Sequence, residues 1–332
     1  MEMEGKDPTL PPLVFSGHLD TVPIGNKDNW DSPPFSGYLK NGRIYGRGSC
    51  DMKGGVAALI EALIRIKESK ELPTANIIFI GTAGEEVDCI GAKEIIKEKT
   101  IKNAGAMVIA EPSNNQVYSA HKGALWIEIE VYGKTAHGSM PNEGINAIVH
   151  MMEVLKRMKK YNFFNNKKHP LVGIPTLNIS LIEGGVQTNV VPDYCKATID
   201  IRTIPGLVHK DIVKKIEKVL IDIEQEVKYI ETKLNVIHDL ASLNNLKNDS
   251  FVELALYVNQ KLQGGIKKEK GANYYTDASI FAPSLNVPII IYGPGNEKLA
   301  HQPNEHVDIE KYEESIRYYI DLAYSYSPKN VF

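Results

Sequence analysis

Five residues of the kinds that bind divalent metals follow short apolar segments, each close to a glycine or a proline. They are His18, Asp51, Glu86, Glu111 and His301. Imidazole nitrogens and carboxylate oxygens are the usual ligands of hydrolytic metal sites, and one carboxylate can bridge two ions. Small neighbours let the backbone approach an ion closely. Together these residues predict a site for a pair of divalent metals.

Each of these residues also has an ordinary explanation when it is taken alone. An aspartate between a strand and a helix, such as Asp51, is commonly a helix N-cap. The adjacent residues Glu85 and Glu86 suit a solvated turn, and a single histidine is commonly structural. The interpretation as a metal site therefore depends on all five residues falling at one edge of one sheet.

Two positions next to the ligands suit proton chemistry and ligand orientation. Because Glu85 and Glu86 are adjacent, their side chains diverge, so one can bind a metal while the other acts as a general base. Asp20 lies two residues after His18. This spacing predicts that Asp20 accepts the second imidazole N–H, as carboxylates commonly do beside metal-bound histidines.

The segments that precede these residues indicate a catalytic domain of the α/β class, with a mostly parallel sheet flanked by helices. Apolar runs predict buried strands, and residues 54–67 and 91–99 have apolar positions at helical spacing. The predicted strands are 13–17, 76–80, 106–110 and 287–292. Ligands bind at the carboxyl edge of such sheets, which is where His18, Glu86 and Glu111 fall.

The pattern changes after residue 117 and indicates a second, inserted domain. Strands are predicted at 125–132, 176–182, 186–191, 195–204 and 233–237, with a hairpin at 183–185 and helices at 145–158 and 210–227. This order is typical of a small α+β domain with a ferredoxin-like arrangement. We expect residues 1–117 and 236–332 to form the catalytic metal-binding domain, and residues 118–235 to form the inserted domain.

Composition excludes several classes of protein. The 332-residue chain has a net charge of −3 and no basic stripe, so a nucleic-acid partner is not expected. No apolar run approaches the ~18 residues of a membrane span, and the acidic start is unlike a signal peptide. Cys50, Cys89 and Cys195 form no C-x-x-C pair, which favours a reducing compartment. We expect a cytoplasmic protein without a membrane partner.

Eight motifs, in order along the chain, carry a resemblance to a known family. They are G-H-L-D-T-V-P, G-R-G-S-C-D-M-K-G-G, G-E-E, A-E-P-S, G-K-T-A-H-G-S-M-P, T-N-V-V-P, D-I-R and A-H-Q-P-N-E. From about residue 13 to its end, the chain resembles the zinc-dependent amidohydrolases and metallopeptidases that include acetylornithine deacetylase, succinyl-diaminopimelate desuccinylase and glutamate carboxypeptidase. The segments S-A-H-K-G and I-P-T-L-N are most similar to the acetylornithine deacetylase branch.

The resemblance implies two divalent ions, most typically zinc, with cobalt or manganese as alternatives. The implied ligands are Asp51 as the bridge, His18 and Glu111 in one site, and Glu86 and His301 in the other. Glu85 is then the general base. The resemblance also implies a cis peptide bond after Asp51.

Further roles are implied for the inserted domain and for the wall of the pocket. His137 resembles a histidine that reaches across a dimer interface and stabilises the tetrahedral oxyanion, so a homodimer formed through the inserted dimerisation and lid domain is expected. Asn189 and Arg202 resemble contacts to a substrate carboxylate. Thr276 and Gly295 fall near the expected substrate pocket.

The function implied is hydrolysis of the amide bond of an N-acyl amino acid, as in acetylornithine deacetylase or succinyl-diaminopimelate desuccinylase. A dipeptidase or carboxypeptidase acting on small peptides is the alternative with the same machinery. Family members carry several tens of residues before the His-x-Asp strand, so the start of this chain is expected to be truncated. That expectation leaves a non-catalytic dimeric binding scaffold as the alternative from another class. A single-metal sensor is a third alternative.

Overall fold

The computed structural model describes residues 1–245 and 249–328, and the chain divides into two units. Unit 1 comprises Met1–His121 and Leu243–Phe332, and unit 2 comprises Lys122–Ser242. These boundaries differ from the predicted ones at 117/118 and 235/236. A strand at Tyr118–His121 pairs within the first unit, and the last strand of the second unit continues to Leu240.

Fifteen strands are present in the described residues. In chain order they are β1 (Glu2–Met3), β2 (Leu13–His18), β3 (Tyr38–Lys40), β4 (Arg43–Tyr45), β5 (Ile77–Thr82), β6 (Ala106–Ile109), β7 (Tyr118–His121), β8 (Gly123–Tyr132), β9 (Thr176–Gly184), β10 (Tyr194–Thr203), β11 (Glu231–Leu240), β12 (Leu243–Asn244), β13 (Lys270–Ala272), β14 (Ile289–Ile291) and β15 (His306–Asp308).

Seven α-helices accompany these strands in the same described ranges. They are α1 (Lys53–Ser69), α2 (Ile90–Lys97), α3 (Ala147–Lys160), α4 (His209–Glu226), α5 (Ser250–Gln263), α6 (Ala278–Leu285) and α7 (Ile309–Ser325). None of these helices is both long enough and apolar enough to cross a membrane.

The main sheet of unit 1 confirms the predicted fold class. Its strand order is β1-β5-β2-β6-β14-β7-β12, and β13 pairs with β7. The four central strands β5, β2, β6 and β14 are parallel, as their continuous apolar sequences predict. Helix α1 packs on β2 and on α7. The carboxyl ends of the four parallel strands therefore lie along one edge of the sheet, where β2 ends at His18 and β6 ends just before Glu111.

A second, three-stranded sheet in unit 1 has no counterpart among the predicted strands. Its order is β15-β4-β3, and all its pairs are antiparallel. Each strand has three residues, too few to show the alternation that identifies half-buried strands. Next to this sheet, between the residue after β4 and the residue before β15, the Gly46 N–H donates to the carbonyl of Glu305 at 2.9 Å.

Unit 2 has the ferredoxin-like arrangement expected from its sequence. Its antiparallel sheet has the order β11-β8-β10-β9, and α3 and α4 supply apolar side chains to the same core as β8 and β10. The predicted strand at 186–191 is wrong. β9 runs to Gly184 and pairs directly with β10, and residues 185–193 form the connection, where Pro192 cannot donate to a ladder.

Candidate metal centre

Two groups of potential metal ligands lie in unit 1, and they share Asp51. The groups are His18, Asp51 and Glu111, and Asp51, Glu86 and His301. Within each group the ligand atoms lie within 4.8 Å of one another. The five residues predicted from the sequence are therefore brought together, although they come from five separate segments of the chain.

The two oxygens of Asp51 face different groups, as a bridging carboxylate requires. Oδ1 lies 3.3 Å from Nε2 of His18, and Oδ2 lies 3.2 Å from Nε2 of His301. On the first side, His18 Nε2 is 3.7 Å from Oε1 of Glu111. On the second side, His301 Nε2 is 3.0 Å from Oε2 of Glu86. Two carboxylates and one imidazole thus converge in each group.

The donor set fits divalent cations for a second reason. Oε1 of Glu86 is buried and has no hydrogen-bond partner among the described residues. A buried carboxylate oxygen without a partner is costly, and a cation held between Glu86, Asp51 and His301 would satisfy it. His18, Asp51 and Glu111 are also buried, so the first group offers a dry site.

Asp51 is not a helix N-cap, which was its ordinary explanation. The N-cap of α1 is Met52, and no side chain caps that helix. The peptide bond between Asp51 and Met52 is cis, as the resemblance implied. The carboxylate of Asp51 faces the two histidines and does not cap α1.

Glu305, to which the sequence analysis assigned no role, holds the turn that carries Asp51. Its Oε1 accepts hydrogen bonds from the backbone N–H groups of Gly48 and Cys50 at 2.9 Å and of Asp51 at 3.0 Å. Its Oε2 accepts a short hydrogen bond from Nη1 of Arg47. Glu305 ends the A-H-Q-P-N-E motif, but its partners lie some 250 residues away, so the motif alone gave no sign of them.

Asp20 connects the first ligand to the segment that carries the two glutamates. Nδ1 of His18 lies 3.1 Å from the carbonyl oxygen of Asp20 and 3.5 Å from its carboxylate. The nearer acceptor is therefore the main chain, whereas the sequence predicted the carboxylate. That carboxylate accepts the backbone N–H groups of Glu85 and Glu86 at 3.3 and 3.1 Å. Although burial opposes it, bonding to His18 and to Glu86 N–H lowers the pKa of Asp20 to about 2.

Glu85 is buried but belongs to neither ligand group. Burial raises its pKa well above the usual range, and the negative charges of Asp277, Glu86 and Asp51 add to this effect, against an opposing contribution from His18. A carboxyl group with a raised pKa beside potential metal ligands has the properties of a general base that also returns its proton.

The centre concentrates negative charge, and its histidines respond to that charge. Burial disfavours the imidazolium form of His18, but Glu111, Asp20 and Asp51 outweigh this effect and raise the pKa. Hydrogen bonds to Asp51 and Glu86 raise the pKa of His301 to about 10. Protons thus balance part of the charge that divalent cations would neutralise.

Gly295 and Thr276, the two predicted pocket residues of unit 1, have close structural neighbours. A Cβ at Gly295 would lie 2.4 Å from the carbonyl oxygen of Cys50, so only glycine fits against the turn before Asp51. Thr276 is fully buried, and its hydroxyl accepts the backbone N–H of Ala278 at 3.1 Å. This capping contact accounts for Thr276, and contact with substrate stays a prediction for both residues.

In unit 2, His137 and Asn189 lie on adjacent segments. The Gly138 N–H donates to the carbonyl of Asn189 at 2.8 Å, and both His137 and Asn189 are exposed. The backbone N–H of Ser139 donates to Nδ1 of His137 at 3.2 Å. Nδ1 is therefore an acceptor, and the neutral ring presents Nε2–H as a donor.

Arg202, the third predicted residue of unit 2, lies on β10. Its Nε is 3.0 Å from a carboxylate oxygen of Asp200, and its guanidinium lies 6.0 Å from the centre of the Trp126 ring. Asp200 also accepts the Trp126 indole N–H at 3.0 Å. The guanidinium is half-buried and held by these neighbours, so its orientation is set before any substrate binds.

A parallel α/β sheet with paired ligand groups at its carboxyl edge, together with a ferredoxin-like unit, defines a hydrolase of the metallopeptidase class. The model of peptidase family M20/M25/M40 matches residues 14–325, and the chain belongs to this family. The expectation drawn from the eight motifs is therefore confirmed. Because this is a family of hydrolytic enzymes, membership does not support the alternative that the chain is a non-catalytic binding scaffold.

Two curated relatives have 33% identity to this chain. One is a probable succinyl-diaminopimelate desuccinylase of Staphylococcus aureus (strain MRSA252), matched over 95% of this chain and 83% of the relative. The other is an acetylornithine deacetylase of Buchnera aphidicola, matched over 89% and 76%. Among solved structures, a tripeptidase from S. aureus has 26% identity and a TM-score of 0.80, covering 97% of this chain and 82% of that one.

Proposed function

We propose that this chain is a dinuclear amidohydrolase that cleaves the amide bond of N-acyl amino acids. The observation that carries this proposal is the pair of ligand groups that share Asp51, with the buried Glu85 outside both. A shared carboxylate suits two ions and not one, which argues against a single-metal sensor. Zinc is the proposed metal, and cobalt or manganese would suit the same nitrogen and oxygen ligands.

The residues of this chain would divide the chemistry among them. Bound metal ions would supply Lewis acidity, which polarises the amide carbonyl and makes water more acidic. Glu85 would accept the proton of the attacking water and return it to the leaving amine nitrogen. Asp20 would keep His18 and the two glutamates in place through the hydrogen bonds described above. The Nε2–H of His137 would donate to the tetrahedral oxyanion.

The substrate class is inferred from the relatives and from unit 2. Curated relatives include a probable desuccinylase and a deacetylase, and both names describe removal of an acyl group from an amino acid. Arg202 and Asn189 are proposed to bind the carboxylate of such a substrate, because a guanidinium pairs with a carboxylate through two parallel hydrogen bonds. A small peptide is the second candidate, favoured by the likeness to the S. aureus tripeptidase.

We further propose a homodimer formed through unit 2, in which His137 serves the site of the other subunit. β9 is an edge strand, and its Leu181 and Ile182 are exposed. Val149 and Met152 of α3 are exposed as well. An edge strand with exposed apolar side chains is a ready surface for pairing with a second copy. A cytoplasmic location is proposed because all three cysteines are free thiols.

A substrate panel tests the proposed function. Metal-reconstituted protein is assayed for amine release from N-acetylornithine, other N-acetyl amino acids, N-succinyl-diaminopimelate and several dipeptides. We expect turnover of one N-acyl class. We expect Glu85→Gln to lose at least about 10²-fold in kcat, because a general base contributes this much, while metal content measured by atomic absorption stays at the wild-type value.

Glu61→Gln, a change in an exposed ion pair on α1, is the matched control and should leave kcat unchanged. Turnover by Glu85→Gln at the wild-type rate would refute the assignment of the base. Hydrolysis confined to dipeptides would replace the N-acyl amino acid with the second candidate.

A further inference from the structure

Asp277 stands at the N-cap position of α6, yet its side chain does not cap that helix. The neighbouring Thr276 takes over this task, since its hydroxyl accepts the N–H of Ala278. The Asp277 side chain is almost fully buried. A buried carboxylate that makes no local capping bond needs another set of partners.

The partner of Asp277 lies directly before the loop that carries Glu85 and Glu86. We call residues 83–89, which connect β5 to α2, the base loop. Thr82, the residue before it, donates from Oγ1 to Oδ2 of Asp277 at 2.6 Å. Cys89, its last residue, lies near the same carboxyl group, and burial together with the charges of Glu85 and Asp277 raises the pKa of its thiol. Burial raises the pKa of Asp277, and the bond from Thr82 and the charge of His18 oppose this shift.

Cys89, at the end of the base loop, contacts the backbone of Glu85 and of the preceding Gly84. The thiol of Cys89 lies 3.8 Å from the carbonyl oxygen of Glu85, and the Cys89 N–H donates to the carbonyl of Gly84 at 2.7 Å. Cys89 is fully buried and has a left-handed φ of 56°. Residues other than glycine rarely adopt this conformation, so the contacts around Cys89 must hold it there.

We propose that Asp277 is a positioning residue that clamps the start of the base loop through Thr82 and so holds Glu85 in its reactive place. Asp20 restrains the middle of the loop through two backbone N–H groups, and Asp277 restrains Thr82, the residue before the loop. A displacement of about 1 Å in a reacting group can cost about 10²-fold in rate. The proposal rests on the proposed function only through the role of Glu85.

If Asp277 had only a structural role, replacing it would lower the stability of the protein without changing turnover below the melting temperature. The kinetic test compares Asp277→Ala and Thr82→Val, which each remove one side of the bond, with Thr82→Ser, which keeps the hydroxyl. We expect kcat to fall by about 10- to 100-fold in the first two variants, with KM unchanged, and to be largely retained in Thr82→Ser.

Ser315→Ala is the matched control for a buried hydroxyl elsewhere in unit 1. Ser315 is fully buried on α7, and among the described residues its Oγ donates only within that helix, to the carbonyls of Lys311 at 2.9 Å and Tyr312 at 3.0 Å. This variant should lose stability but keep its kcat. A fall in kcat in Ser315→Ala as large as that in Asp277→Ala would overturn the proposal, because it would reflect general destabilisation.

A second measurement does not depend on activity. We expect Asp277→Ala and Thr82→Val to raise the rate at which iodoacetamide alkylates Cys89, followed by peptide mass spectrometry, because an opened base loop exposes the thiol. Cys195, buried in unit 2, is the internal reference and should react at its wild-type rate.

An unchanged Cys89 rate would overturn the clamp, and a raised rate with unchanged kcat would overturn the positioning role. If the wild-type chain hydrolyses no member of the panel, the proposed function fails, and the alkylation rates still decide whether Asp277 holds the loop.

Discussion

At the residue scale, the chemistry of this protein depends on how closely like charges are brought together. Asp51, Glu86 and Glu111 converge on two histidines, and Glu85 lies buried beside them. Without cations, protons on the imidazoles compensate part of this charge, and the pKa values of His18 and His301 are raised accordingly. Metal ions and protons therefore compete for the same nitrogen atoms.

This competition predicts that metal binding releases protons. Because the pKa of His301 is raised to about 10, its ring is protonated at neutral pH in the metal-free protein. A metal ion must displace that proton, so the apparent affinity should fall as pH is lowered and rise as pH increases toward that value. Isothermal titration calorimetry of zinc binding in two buffers of different ionisation enthalpy measures the number of protons released per metal bound.

His301→Ala should release fewer protons per metal bound than the wild-type chain. Proton uptake on zinc binding, or an affinity that does not depend on pH between neutrality and mild acid, would contradict the prediction.

At the scale of elements, a buried ion pair supports the turn before α1. The Arg47 and Glu305 side chains are almost fully buried, and Glu305 also accepts three backbone N–H groups from this turn. Arg47 lies 5.1 Å above the centre of the Trp30 ring. The turn thus depends on Glu305, the residue directly before β15, so the segment that leads into β15 contributes to the position of Asp51.

Removing the charge of Glu305 should destabilise the protein strongly. Glu305→Gln keeps the shape of the side chain but leaves Arg47 buried without its counter-ion, a change that costs about 3–5 kcal/mol. Urea denaturation followed by circular dichroism measures the free energy of unfolding. Asp308→Asn breaks the exposed pair with Arg43 in the neighbouring strands and should have a much smaller effect.

Equal losses of unfolding free energy in Glu305→Gln and Asp308→Asn would show that burial does not increase the stabilising effect of the Arg47–Glu305 pair. Glu305→Gln should also weaken zinc binding, because Asp51 N–H loses a charged acceptor.

At the scale of the whole molecule, the proposed dimer makes activity a property of two chains. Glu85→Gln and His137→Ala should each be inactive alone. Because a two-fold dimer assembles at random, an equal mixture should recover about a quarter of wild-type activity, from mixed dimers with one intact site. Assays after joint refolding, with sedimentation velocity to confirm the dimer, measure this recovery.

Met152→Glu, on the exposed face of α3, should yield a monomer without hydrolytic activity. Val236→Glu places the same charge on β11, the opposite edge of the sheet, and should leave the dimer intact. No recovery of activity in mixed dimers would refute the sharing of His137.

The sequence by itself determined the family, the fold class and the set of residues at the metal centre. Apolar runs predict central strands because such strands are buried on both faces, and metal ligands are limited to a few residue types. Tertiary structure alone decided the rest. The segment at 186–191 has the pattern of a strand, but it joins no strand of the sheet and only Val190 forms an isolated bridge, with His137. The three-residue strands β3 and β4 are too short to show an apolar pattern. Glu305 and Asp277 gain their roles from backbone and side chains about 190 to 260 residues away, and no local pattern records which distant groups a buried carboxylate meets when the chain folds.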